Sequence, residues 1–358
     1  MTTTEERPAG TLVGTGRIKC VIWDLDNTVW DGVLLEGDAL RLRPQVVSII
    51  KTLDERGILH SIASRNNHEA ALRQLETFGI AEYFLHPQVS WNVKSTAIAT
   101  IAERLNIGID SLAFVDDQIF ELEEVAFRLP EVLCINADDA AMMLDSPDFS
   151  PRFITDESSR RRQMYRSGIG REEAEQSFTG DNDAFLSTLD MVLTIGPAQE
   201  QDLARAEELT IRTHQLNSTG VTYSYAELDQ CRTADDHLLL VAGLEDRFGS
   251  YGKIGLALVY TAGDAWRLKL LLMSCRVMSR GVGAVLLDEI VRLAQARGKS
   301  LEAEFAETSR NRVMYVTYRF AGFREVGRDG GTAILRADPD LQRRPPEYLR
   351  IRREGLWL

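Results

Sequence analysis

The run Cys20-Val21-Ile22-Trp23-Asp24-Leu25-Asp26-Asn27-Thr28 constrains this chain more than any other, because four apolar residues lead into two carboxylates one residue apart. A short continuous apolar run reads as a buried strand of a parallel sheet, and ligands of open α/β sheets gather beyond the carboxyl ends of such strands. Side chains two apart in extended backbone point the same way, so Asp24 and Asp26 face one place, suited to a hard divalent cation beside a phosphorus atom. These residues alone leave a second reading open, in which both carboxylates cap a turn and bind nothing.

Three later segments bear on that choice. Ser64, in Ile62-Ala63-Ser64-Arg65-Asn66, follows a second apolar strand over 59–63; Lys94 begins an amphipathic helix carrying Ile98, Ile101 and Leu105; and Asp116 and Asp117 follow Leu112-Ala113-Phe114-Val115. Taken in order, D-x-D-x-T, the serine, the lysine and the acidic pair resemble the four motifs of the haloacid dehalogenase (HAD) superfamily. The resemblance implies Asp24 as a phosphoryl-accepting nucleophile and Asp26 as general acid and base. It also implies phosphate and substrate binding by Ser64, Arg65, Asn66 and Lys94, and a Mg²⁺ ion held by Asp24, Asp116 and the carbonyl of Asp26. Only 40 residues separate Asp24 from Ser64, 30 separate Ser64 from Lys94, and 22 separate Lys94 from Asp116. These spans leave no room for an inserted cap domain, and the site is expected to be open to a substrate presented on another protein or domain. Residues 30–34 are expected to form a flap, with Trp30 either its core or a substrate wall.

At 358 residues and 44% hydrophobic, the chain can bury two cores. We expect a disordered N-terminus over 1–16, a first domain over 17–145, a breaker-rich linker with a basic helix over 146–180, a second domain over 181–340 and a tail over 341–358. A formal charge of -13 argues against nonspecific nucleic-acid binding. Four scattered cysteines (Cys20, Cys134, Cys231, Cys275) suggest a reducing, cytoplasmic setting, and no apolar run has the length of a membrane span. Arg160, Arg161, Arg162, Arg166 and Arg171 form either a solvated face paired with nearby acids or a docking surface for an acidic partner.

The second half alternates helices and strands: a helix over 202–216, strands over 238–244, 254–260, 266–273 and 301–305, and a helix running to Gly298. The glycine turn Arg280-Gly281-Val282-Gly283 between a strand and a helix, followed by Asn311, Tyr318 and Phe323, resembles the GNAT acyltransferase fold, although Met278 stands where that family's phosphate loop has Gln or Arg. The fold class expected is therefore α/β: a capless, Rossmann-like, doubly wound parallel sheet followed by a GNAT-like α/β domain. This layout, with Trp-Asp-Leu-Asp-Asn-Thr at 23–28, Arg-Thr-His-Gln-Leu-Asn at 212–217, Asp-Arg-Phe-Gly at 246–249 and Ser-Cys-Arg-Val at 274–277, resembles the FkbH-like proteins of polyketide pathways.

That resemblance implies a bifunctional enzyme that takes a glyceryl unit from 1,3-bisphosphoglycerate and holds it as a thioester on Cys275. It then removes the remaining phosphate at the HAD site and loads glyceryl onto an acyl carrier protein. Arg276, Gly281 and Gly283 would line the acyl site, and His214 would serve either as a base or as a polar contact near a helix end. From the residues alone Cys275 is open to two readings, a packed core thiol or a reactive one beside Arg276 and the glycine turn. The alternative function is a Mg²⁺-dependent phosphatase whose second domain only binds a partner.

Overall fold

Strand β1 (Cys20–Trp23) is buried along its whole length, as its unbroken apolar run requires. The computed structural model describes residues 16–339 and 343–355, so the disorder expected over 1–16 lies, apart from Gly16, outside the described residues. After β1 come the hairpin strands β2 (Trp30–Asp31) and β3 (Arg41–Leu42), helix α1 (Pro44–Glu55), β4 (Leu59–Ser64), α2 (His68–Thr77) and β5 (Gln88–Val89). Then follow α3 (Lys94–Leu105), β6 (Leu112–Asp116), α4 (Ile119–Arg128) and β7 (Leu133–Asn136). The five main strands lie parallel in the order β5-β4-β1-β6-β7, the doubly wound arrangement that alternating strands and helices lead one to expect. The winding reverses at β1, so a crevice opens beyond its carboxyl end.

Helix α1 shows how local sequence sets the packing. Pro44 opens it, at a position whose N–H has no helical partner anyway. Val46, Ile49, Ile50 and Leu53 recur at helical spacing and form one buried stripe. Gly57 (φ +76°) then turns the chain into β4, where the Cβ of any other residue would sit 2.5 Å from the Ser158 carbonyl oxygen. On β4, His60 is fully buried. Trp23 Nε1 donates to its Nδ1 at 3.0 Å, and its Nε2 lies 3.0 Å from the Ile50 carbonyl oxygen. With Nδ1 accepting, the ring proton is on Nε2 and the imidazole is neutral.

The chain divides into two units, one ending at Arg166 and one beginning at Ser167. The first unit thus runs past the boundary expected at 145, because Phe149, in the supposed linker, is buried in the same core as Trp23. Helices α5 (Asp156–Ser159) and α6 (Arg161–Ser177) follow. The basic face expected there is partly consumed internally. Arg162 is buried, bonds both oxygens of Asp54 at 3.0 and 3.1 Å, and reaches Glu82 Oε2 at 2.9 Å. In the second unit Arg171 grips Asp246 through two bonds of 2.7 and 2.9 Å. Arg160 and Arg166 remain exposed.

The second unit contains α7 (Asn182–Ser187), β8 (Met191–Pro197), α8 (Leu203–Arg212), α9 (Tyr225–Thr233), β9 (His237–Asp246), β10 (Gly249–Tyr260) and β11 (Ala265–Met273). It continues through α10 (Val282–Ala296), β12 (Ser300–Ala306), α11 (Arg312–Phe320), β13 (Phe323–Asp329), β14 (Thr332–Ala337) and β15 (Leu349–Arg353). Eight strands form one mixed sheet in the order β13-β14-β12-β11-β10-β9-β8-β15. Both faces are covered: along β9, Leu238, Leu240, Ala242 and Leu244 enter one core, while Leu239 and Val241 enter the other. Lys269 interrupts the same alternation on β11, where Leu258 pairs with Leu270 and Val259 with Leu268, and this bulge reverses which face the later residues address. The tail expected over 341–358 instead supplies β15, which pairs in parallel with β8. Its Arg353 is anchored by two bonds to the buried Glu289. No helix among the described residues is long and apolar enough to cross a membrane.

His60 sets a pH limit on the first unit. Burial, its largest influence, lowers its pKa from 6.5 to about 3. A group depressed on folding contributes its full share above pH 6.5 and loses it as the pH falls toward 3, at up to about 1.4 kcal/mol per unit. A His60→Gln variant, whose amide can accept from Trp23 and donate to Ile50, is expected to flatten that slope between pH 6 and 4. Urea unfolding across this range checks it; an unchanged slope would show that His60 carries no linkage.

Candidate active site

Three neighbouring strand ends build the site. Asp24 follows β1, whose last residue Trp23 pairs with Ile62 of β4 and Val115 of β6. The Asp24 N–H donates to the Val115 carbonyl at 2.9 Å. Ser64 ends β4 and Asp116 ends β6, so the parallel register alone brings Asp24, Ser64 and Asp116 side by side. Lys94, the first residue of α3, is 4% exposed and reaches over from the far side. Its ammonium donates to Asp24 Oδ1 and, at 2.9 Å, to Asp116 Oδ2. Ser64 also hydrogen-bonds the Asp24 carboxylate.

Low solvent access makes the charges here interact strongly. The Asp24 carboxyl is raised to about 6 overall: burial pushes it up most, Lys94 pulls it down and Asp116 pushes it up. Burial alone would depress Lys94, but Asp24 and Asp116 outweigh it and hold its pKa above the usual value. Burial and then Asp116 raise Asp117.

Asp24, Asp116 and Asp117 bring carboxylate oxygens within 4.8 Å of one another. Asp117 Oδ1 is buried without a hydrogen-bond partner. Three hard oxygen donors, one unsatisfied, with no His or Cys among them, fit Mg²⁺. Asp117, the second acid of the pair that follows β6, thus lies with Asp24 and Asp116 in this set, while the carboxylate of Asp26, of which only the carbonyl was expected as a ligand, lies outside it. The Asp26 carboxylate is engaged elsewhere, with Oδ1 accepting from Trp30 Nε1 at 2.8 Å and from the Leu34 N–H at 3.1 Å, and Oδ2 accepting from Asn66 Nδ2 at 2.9 Å.

Burial decides between the two readings of Trp30 and bears on Asn66. Trp30 is fully buried, so it is flap core and no substrate wall. Asn66, expected to bind substrate, is 2% exposed, with its amide spent on Asp26 and on the Asn67 N–H. Arg65 does remain at the opening, about one-third exposed and tied to Glu121 at 3.0 Å. Sequence reading had no signal for the roles of Asn66 and Trp30, since both depend on side-chain direction across a hairpin.

The residues singled out in the second unit gather at the end of β11. Cys275 is exposed, unlike the buried Cys20 and the half-buried Cys134 and Cys231. It opens a 3₁₀ turn, Cys275–Arg280, that ends at Gly281 (φ +71°) and leads into α10. A Cβ at Gly281 would meet the Tyr348 hydroxyl at 2.8 Å, whereas one at Gly283 would meet only Met273 at 3.5 Å, so the glycine requirement falls on 281. Arg276 Nε donates to Ser274 Oγ at 3.2 Å.

The helix expected over 202–216 stops at Arg212, because 216–218 joins the sheet. Met273 N–H donates to the Leu216 carbonyl at 2.9 Å, Ser218 N–H donates to the Leu271 carbonyl at 2.9 Å, and Asn217 bridges Leu272 antiparallel. His214, exposed, lies two residues before Leu216, and Cys275 two residues after Met273, so this register brings both to one end of the strand. Tyr318 is fully buried against Phe323, with ring centroids 5.4 Å apart. Burial raises its hydroxyl above the ordinary range.

No family model matches the chain. It is 27% identical to human magnesium-dependent phosphatase 1 over 127 residues, 30% of this chain and 72% of that protein. The N-terminal part of a Bacteroides fragilis protein, containing a phosphatase domain complexed with Mg, is 28% identical, with a TM-score of 0.34; the match covers 37% of this chain and 40% of that one. The ribosomal-protein-S18-alanine N-acetyltransferase of Escherichia coli is 17% identical, with a TM-score of 0.33, covering 42% of this chain and 96% of that one.

The cluster implies a measurable exchange between lysine and metal. Lys94→Met strands two buried carboxylates, and removing one partner of such a set costs about 3–5 kcal/mol. Mg²⁺, binding only the folded site, is expected to restore part of that loss and to raise the midpoint of unfolding more in Lys94→Met than in the parent. Equal Mg²⁺ increments in the two proteins would show that lysine and metal do not share the charge.

Proposed function

We propose that this protein is a bifunctional glyceryl transferase and Mg²⁺-dependent phosphatase that loads a glyceryl unit from 1,3-bisphosphoglycerate onto an acyl carrier protein. The observation that carries the reading is the Asp24, Lys94 and Asp116 cluster, buried at its base yet without an inserted domain above it. Exposed apolar side chains stand on the connections that follow the strands: Leu35 between β2 and β3, Trp91 between β5 and α3, and Ile119 and Phe120 in the first turn of α4. Apolar residues left around an open site favour a substrate delivered by a macromolecule. The likeness to the human magnesium-dependent phosphatase supports the phosphatase half.

Phosphoryl transfer asks the protein chiefly for position and charge. A carboxylate oxygen of Asp24 attacks phosphorus, the bond to the glyceryl oxygen breaks, and Asp26 gives that oxygen a proton. Asp26 then takes a proton from the water that attacks the aspartyl phosphate at phosphorus, releasing phosphate and restoring Asp24. Lys94 and Ser64 hold the transferred group. Asp24, Asp116 and Asp117, with the Asp26 carbonyl, would hold Mg²⁺, which would supply charge neutralisation for the phosphoryl group.

The other end of the substrate needs different chemistry. An acyl phosphate is already activated, so the Cys275 sulfur can attack the acyl carbon with phosphate leaving, and a thioester forms without metal. His214 is the base proposed to prepare the incoming carrier thiol, and Arg276 with the Gly281 and Gly283 turn lines the acyl site. The carrier thiol then displaces Cys275 and takes the glyceryl unit.

Intact-mass measurement with 1,3-bisphosphoglycerate, Mg²⁺ and carrier protein tests the division of labour. Asp24→Asn is expected to accumulate a phosphoglyceryl adduct and release no phosphate from the ester. Cys275→Ser is expected to carry no stable thioester and to leave the carrier unloaded, while still hydrolysing a simple aryl phosphate. Normal carrier loading by Cys275→Ser would remove the covalent relay and leave the phosphatase with a partner-binding second unit.

A further inference from the structure

Asp26 is held in a way that distinguishes its two oxygens. Oδ1 accepts two hydrogen bonds, from Trp30 Nε1 at 2.8 Å and the Leu34 N–H at 3.1 Å, whereas Oδ2 accepts one, from Asn66 Nδ2 at 2.9 Å. The Asn66 amide cannot be turned round without loss, because its Oδ1 already accepts from the Asn67 N–H at 3.1 Å. Trp30 is likewise fixed: fully buried, with its ring centroid 6.0 Å from that of Phe78, on a hairpin strand paired with β3. Both partners are pure donors toward Asp26. Neither can take up or give out the proton that catalysis moves.

We infer that Trp30 and Asn66 are positioning residues: Trp30, with the Leu34 N–H, anchors Asp26 by Oδ1, and Asn66 aims Oδ2, the oxygen that carries the proton. The inference rests on the phosphatase reading above. Two donors occupy Oδ1, so the open lone pair is on Oδ2, and the Asn66 bond sets the direction in which it points. The proton passes from Oδ2 to the departing glyceryl oxygen as the phosphorus–oxygen bond breaks, and a proton from the attacking water returns to Oδ2. Because Trp30 and Leu34 belong to the flap, the same bonds tie flap placement to the aim of the acid.

Leaving-group dependence reads this directly. An alkyl phosphate needs a proton on its departing oxygen, whereas the anion leaving from 4-nitrophenyl phosphate is stable without one. The measurement is the ratio of kcat/KM for glycerol 3-phosphate to that for 4-nitrophenyl phosphate, taken with Mg²⁺ in the full chain and by single turnover for weak variants. Asp26→Asn sets the reference and is expected to collapse the ratio by at least about a hundredfold, the usual worth of general acid catalysis. Trp30→Phe and Asn66→Ala are each expected to lower it by about tenfold, a part of that range, and neither is expected to lower it further in the Asp26→Asn background. If either variant slows both esters by the same factor, that residue is structural and its part of the inference falls. A drop in ratio that persists in the Asp26→Asn background would overturn it by showing action independent of Asp26. An unchanged ratio in Asp26→Asn itself would instead remove the acid assignment, and the inference with it.

Discussion

Two carboxylates and one ammonium share a nearly dry space at the end of β1, and the first unit is arranged around keeping them there. Asp116 is wholly buried, Asp24 is 5% exposed and Lys94 is 4% exposed. Isolated, each charge would cost several kcal/mol to bury; together, with Ser64 and backbone donors, they compensate one another. The register of β1 against β4 and β6 supplies this proximity without any special loop. Fully buried apolar residues of β1 hold that register, since a slip of one residue would turn Asp24 toward the wrong face.

Around this centre the fold separates what must be fixed from what must be reached. Asp26, two residues on, is removed from the charge cluster by bonds to Trp30, Leu34 and Asn66. Its carboxylate is thereby held apart from the acids that could take a cation, as the proposed role in proton transfer requires. The β2–β3 hairpin, the loop after β5 and the first turn of α4 leave apolar side chains in solvent, while the second unit places an exposed thiol where β11 gives way to the turn before α10. The chemistry proposed for the two ends of a bisphosphorylated acid divides in the same way. One end needs a buried, charge-dense site, and the other needs an accessible nucleophile.

Much of the first unit was legible because polarity changes abruptly at its strand ends. Asp24, Ser64, Lys94 and Asp116 each stand where an apolar run stops or an amphipathic helix starts, and the structure brings these four together. What escaped depended on long-range geometry. Asn66 reads as a polar loop residue beside Ser64, and only the β2–β3 hairpin shows that its amide and the Trp30 indole meet on one carboxylate. The Lys269 bulge has no local signature, and the arginines of β15 disguise a strand as a tail until Glu289 is seen beneath Arg353. The helix expected to 216 ended early because the amides of β11 needed partners beyond the bulge, and residues 216–218 supply them.

In the proposed phosphatase reaction a carboxylate oxygen of Asp24 accepts the phosphoryl group, and the buried cluster of Lys94 and Asp116 supports that one bond. This step is tested most directly by rapid acid quenching of the protein during turnover of a phosphate ester, followed by peptide mass mapping. The result expected is one phosphoryl group, labile to hydroxylamine, on the peptide containing Asp24, and none when the cluster is denatured beforehand. A phosphoryl group found on any other residue, or turnover with no phosphorylated protein at any quench time, would contradict it.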